Sequence, residues 1–199
     1  RAGRGDRPGR VLVQTLQPGT VISREAGMPA AIAETSRLLR GGAPPVLYQP
    51  AFRAGDLAVI ADVLRISGTH ATLVEVKSST GVKPEHLPDV GFQALVLRHC
   101  RVPVDRVLLA HVDASFVLRR EGDYDGLIAE QDVTSEVEEA LPQLAESAAA
   151  LQAVMASARR PTVPMGAQCT NPYDCPFIER CTRERGGAVE FPVELLPRG

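Results

Sequence analysis

The chain has 199 residues, 44% of them hydrophobic, which is enough for one domain with a sizeable core and too apolar for a disordered chain. Its formal charge of −2 excludes a global basic field, so any nucleic-acid contact has to come from local patches. No apolar run reaches the roughly 18–20 residues that span a bilayer, so a cytoplasmic protein with no membrane partner is expected.

In chain order, residues 1–10 (RAGRGDRPGR) lack periodicity and read as a flexible lead-in, and the chain as a whole reads as a segment of a longer protein. Residues 11–15 read as a short strand. Pro29 at its start and Gly41-Gly42 past its end bracket a helix over 30–40. Strands follow at 45–52 and 57–66, then the tight turn SGTH and a strand at 72–78. Residues 84–100 are mostly helical, with Pro88 in the first turn or interrupting it. An apolar strand at 106–113 follows, with a further short one at 116–118. Ser135 and Glu138 form a capping box for a long helix reaching about residue 158. This order predicts an α/β domain over 11–160, with a mixed central sheet flanked by helices, and then a cysteine-containing loop segment over 161–199.

The strand ATLVEVKSST carries Glu75 and Lys77 where apolar residues would suit a core. With Gly68-Thr69 as a two-residue turn, Ser67 closes against His70 and the same register sets Asp62 directly opposite Glu75. Side chains alternate along a strand, so Asp62, Glu75 and Lys77 share one face with the apolar Ile60, Leu64 and Leu73. Two carboxylates facing each other repel. Mg2+ or Mn2+, held by one or two carboxylates with water and phosphate, resolves that conflict. Lys77 would then orient or deprotonate a water, or stabilise charge developing on a phosphate. The ordinary alternative is a charged pair on a solvent-facing side. Lysine usage weighs against it: of 22 basic residues, 20 are Arg and only Lys77 and Lys83 are Lys.

VIADVL, LVEVKSST and DVGFQALVL, taken as an ordered set across residues 46–113, resemble the PD-(D/E)XK nuclease superfamily in its RecB-like, CRISPR-associated-exonuclease branch. The resemblance implies a restriction-endonuclease-like core and a metal-dependent, exonuclease-like activity on single-stranded DNA. It makes Asp62 and Glu75 metal ligands, with the Val76 carbonyl completing the shell, Lys77 the catalytic lysine and Gln93 the glutamine of the helical motif. Leu97 stands where that motif often has a tyrosine. The first helix of the branch often supplies a His or Glu near the metal; no His precedes His70, which leaves Glu34 as that candidate. The resemblance also implies a further domain after Gly199 as a partner in the full-length protein.

CTNPYDCPFIERC spaces Cys169, Cys175 and Cys181 evenly, and three thiols in a proline-containing loop suggest metal ligation. The resemblance implies a [4Fe-4S] cluster whose fourth cysteine lies upstream of Arg1, and Zn2+ is the competing occupant because it takes the same thiolates. Cys100 reads as a small buried residue. Arg98, Arg101 and Arg106 offer a phosphate-contacting patch or a solvated face, and His86 lies two helical turns from Gln93. The rival to an enzyme is a non-catalytic nucleic-acid-binding or assembly module with a structural zinc or cluster site.

Overall fold

The computed structural model describes residues 18–171 and 173–184, and the chain divides into two compact units, Arg1–Met155 and Ala156–Gly199. The first unit is a mixed α/β fold. It opens with β1 (Thr20–Val21) and α1 (Met28–Arg40), the latter starting with proline in its first turn and stopping at Gly41. The expected strand at 11–15 lies outside the described residues.

Residues 46–67 form one long antiparallel hairpin with an elbow in the middle. β2 (Val46–Tyr48) pairs with β5 (Val63–Ser67), and past the elbow β3 (Ala51–Ala54) pairs with β4 (Leu57–Ile60) in the same register. At the elbow the Gln49 N–H donates to the Asp62 carbonyl and the Ala61 N–H to the Pro50 carbonyl, both at 3.0 Å. Pro50 has no N–H to give a neighbouring strand and Gln49 takes φ 56°, so the hairpin leaves the main sheet here. The run expected to be one strand over 57–66 is therefore two, broken at Ala61-Asp62.

β6 (His70–Val76) pairs with β5 through the register counted from the turn, Ser67 with His70 to Val63 with Val74. Gly68, at φ 59°, supplies the positive φ that a glycine-first turn requires. α2 (His86–His99) crosses over to β7 (Val104–Val112), which runs parallel to β6, and β8 (Ile128–Asp132) adds antiparallel at the edge. The six-stranded order is β1-β2-β5-β6-β7-β8. α3 (Thr134–Ala156) follows.

Leu47, Leu64, Leu73 and Val107 stand opposite one another across four strands, at most 2% exposed, and form the spine of the core. α2 covers them with Val90, Ala94, Val96 and Leu97, and Ala31 and Val137 add the other two helices. The opposite sheet face buries Val46, Tyr48, Val63, Val74, Val76, Leu108 and Ala110. Burial on both faces explains why these strands read as continuous apolar runs.

Two expectations are corrected. Residues 116–118 form no strand; the edge of the sheet is β8 instead. Ser135 is not the cap of α3, which begins one residue earlier: the Thr134 N–H donates to Asp132 Oδ1 at 3.0 Å, and Thr134 Oγ1 accepts the Val107 N–H at 2.9 Å. In the second unit, a short 3-10 turn (Ala167–Cys169) precedes α4 (Ile178–Glu184), whose Glu184 bonds Arg160 at 2.7 Å and Arg180 at 2.9 Å.

Candidate active site

β5 departs at Asp62, and that departure leaves the next N–H of β6 without a strand partner. Asp62 supplies the missing acceptor: its Oδ2 takes the Val76 N–H at 3.0 Å, and the side chain is buried at 2% exposure. One pleat beyond the Leu73 row lies Glu75, 3% exposed and on the helix-covered face. Glu75 Oε1 accepts Lys77 Nζ at 2.8 Å, and Oε2 accepts Gln93 Nε2 from α2 at 2.9 Å. This arrangement fixes the Gln93 amide with nitrogen toward the carboxylate. Its Oε1 is buried and accepts no hydrogen bond among the described residues.

Lys77 has its side chain 10% exposed, and its ammonium also forms an ion pair with Asp89. Asp89 and Gln93 are one helical turn apart, so a single face of α2 presents both. Sequence reasoning placed Gln93 but gave Asp89 no role. The four-residue spacing between an acid and the motif glutamine was the available signal.

Burial pushes the Glu75 carboxyl up, and the nearby Asp62 charge pushes it further; Lys77 and Gln93 pull it back, leaving it at about 7 against an ordinary 4.5. Burial lowers Lys77, but the Glu75 and Asp89 carboxylates outweigh it and raise the lysine above its ordinary value. Lys77 is thus an ammonium at neutral pH, suited to stabilising charge or orienting water rather than to removing a proton.

The structure brings Asp62, Glu75, Val76, Lys77 and Gln93 together. Glu34 stays out of this network: its side chain is 43% exposed and bonds Arg37 at 2.7 Å and 2.9 Å. Leu97, in the position where a tyrosine is often found, is fully buried in the core. Arg98 pairs with Glu138 and Arg106 with Asp132, so two members of the expected arginine patch are bound to acids. His86 Nδ1 accepts the Lys83 N–H at 3.1 Å, and burial together with the Lys77 charge holds the imidazole below its ordinary value.

Cys169, Cys175 and Cys181 are half-buried free thiols, joined in one loop by the Cys175 N–H to Cys169 carbonyl bond of 2.8 Å. Cys100, expected to be buried, is half-buried, its Sγ donating to the Arg53 carbonyl at 3.3 Å. Among the described residues, no three or more His, Cys, Asp or Glu side chains come together as a set able to hold a metal ion. What the site does offer a hard divalent cation is the buried carboxylates of Asp62 and Glu75 and the buried Gln93 oxygen, with main chain, water or phosphate left to complete a shell. Compared with known proteins, the chain matches no family model, and no curated protein sequence matches it significantly.

Proposed function

We propose that this chain is a divalent-metal-dependent nuclease domain of PD-(D/E)XK type, with a restriction-endonuclease-like core, that hydrolyses phosphodiesters in single-stranded DNA from an end. One observation carries the reading: the elbow, β6 and α2 deliver Asp62, Glu75, Lys77 and Gln93 to one place, with Glu75 gripped by both the lysine and the glutamine. Asp62 and Glu75 would hold Mg2+ or Mn2+, with the Val76 carbonyl beside them. The ion, when bound, would polarise the phosphate and lower the pKa of a water. Gln93 fixes the Glu75 carboxylate, and the Lys77 ammonium faces charge that develops on the phosphate oxygens. Cys169, Cys175 and Cys181 would have to draw together to hold a [4Fe-4S] cluster with a cysteine upstream of Arg1, or Zn2+ in its place.

The test uses full-length protein purified anaerobically, with end-labelled single-stranded and duplex DNA and Mn2+. Wild type is expected to cleave and Lys77→Ala to lose about 10²–10³-fold in rate with its fold retained. A folded, cluster-loaded wild type that leaves both DNAs intact sinks the reading. The second reading is a non-catalytic nucleic-acid-binding or assembly module; the pairing of Lys77, Arg98 and Arg106 with acids favours its assembly form, because it leaves fewer cations for phosphate.

A further inference from the structure

The nuclease reading gives no role to Asp89, the residue of α2 that meets Lys77. Asp89 lies in the first turn of the helix with its side chain 52% exposed, whereas the lysine it pairs with is nearly covered. A lysine is a flexible four-carbon chain carrying three donors, and one partner leaves its amine free to swing. Here two partners hold it, Glu75 from the end of β6 and Asp89 from the crossover helix. Gln93, one turn further along the same helix, holds the other oxygen of Glu75. The contacts close a ring: Glu75 to Lys77, Lys77 to Asp89, Asp89 along the helix to Gln93, and Gln93 back to Glu75.

We propose that Asp89 is the positioning residue of this site, holding Lys77 Nζ against Glu75 so that α2 locks the E-x-K strand through Asp89 and Gln93 together. Its consequence for turnover rests on the nuclease reading; the anchoring itself does not. An exposed acid paired to a solvated lysine contributes little. This pair differs because its lysine end is covered and is shared with a buried carboxylate whose own orientation is fixed from the same helix.

The composition of the chain supplies a direct readout. Within these 199 residues only Lys77 and Lys83 are lysines, so isotope-labelled lysine gives two side-chain signals from this chain, assigned with Lys83→Arg. In wild type the Lys77 ammonium protons should exchange slowly and its Cε shift should stand apart from that of Lys83. Asp89→Ala should collapse the Lys77 signal onto that of a free lysine, and Asp89→Glu should restore part of the separation. In Mn2+-dependent cleavage, Asp89→Ala should lower kcat about 100-fold with KM changed less than about twofold, as loss of a positioned group does. Asp89→Glu should recover part of that loss. Asp89→Asn, close in shape but uncharged, guards against a fold defect and should fall with Asp89→Ala in both readouts. An unchanged Lys77 signal in Asp89→Ala, or an unchanged kcat, overturns the proposal. Should wild type cleave nothing, the nuclease reading falls alone and the lysine signals still decide whether Asp89 anchors Lys77.

Discussion

Asp62 caps the Val76 N–H and places a negative charge beside Glu75, and these two duties are separable by substitution. Asp62→Asn keeps an oxygen acceptor for the N–H and removes the charge; Asp62→Ala removes both. The alanine variant should be less stable than the asparagine variant by about 1–3 kcal/mol, the cost of an unsatisfied buried amide, as measured by urea unfolding. Both should lose metal-dependent cleavage. The closeness of Asp62, Glu75 and Lys77 was legible because a hairpin register is a local count from the turn; the observed pairing follows that count from Ser67 with His70 to Val63 with Val74, and stops one pair short of Asp62 and Glu75. Glu34 was reached by elimination, and the structure leaves it outside the network. Arg37, three residues on, was the sequence signal that its carboxylate already had a surface partner. Asp89 escaped because its partner lies just past the end of β6, twelve residues earlier, and only the docking of α2 brings them together.

α2 owes its position to a missing side chain. Gly91 is buried, and a Cβ there would stand 2.6 Å from Leu144 Cδ1, so the helix lies close against α3 at that point. Asp89 and Gln93 flank this contact on the same helix, two residues to either side. Gly91→Ala asks only a flexible leucine tip to move and gains helix propensity, so it should be tolerated. Gly91→Leu overfills the contact and should cost about 1–3 kcal/mol. It should also reduce cleavage, because lifting α2 draws Gln93 off Glu75 and Asp89 off Lys77. Thermal unfolding and kcat on the same preparation check both effects. The long elements were readable from their periodicity and punctuation, α1 from Pro29 and Gly41 above all. The edge strand was not. IAEQD offers only two apolar residues, since its outer positions face solvent, and Glu130 and Asp132 are spent on Arg65 and Arg106. The elbow at Gln49-Pro50 was hidden inside an apolar run whose pairing partner is equally apolar.

For the molecule as a whole, Glu75 couples stability to pH and to divalent ions. Its folded pKa of about 7 lies above the ordinary 4.5, so between those values the native state keeps a proton that the unfolded chain has released. Stability from this group is therefore present at low pH and lost as pH rises through that window, by an amount on the order of 3 kcal/mol. His86, held low by burial and by Lys77, works in the opposite direction. Comparing wild type with Glu75→Gln isolates the carboxylate: the melting temperature of the glutamine variant should gain on wild type from pH 5 to pH 8. Mn2+ should raise the wild-type melting temperature more at pH 8 than at pH 5.5, with chelator reversing the gain and Asp62→Asn showing little of it. A melting curve indifferent to Mn2+ at both pH values would remove the carboxylate pair as a cation site.

The elbowed hairpin also orders events in time. β2 through β6 are joined by short turns into a run of local antiparallel pairs, while β7 waits for α2 to cross the sheet. Loop-closure entropy favours the local pairs, so the meander assembles ahead of the parallel pairing. At that stage the meander already brings the Asp62 and Glu75 charges near each other, still bathed in water. Docking of α2 dehydrates them and delivers Gln93 and Asp89 in the same movement. That step should therefore be sensitive to charge, and refolding should run faster where the two carboxylates are relieved, at low pH or with Mn2+, than at pH 8 with chelator.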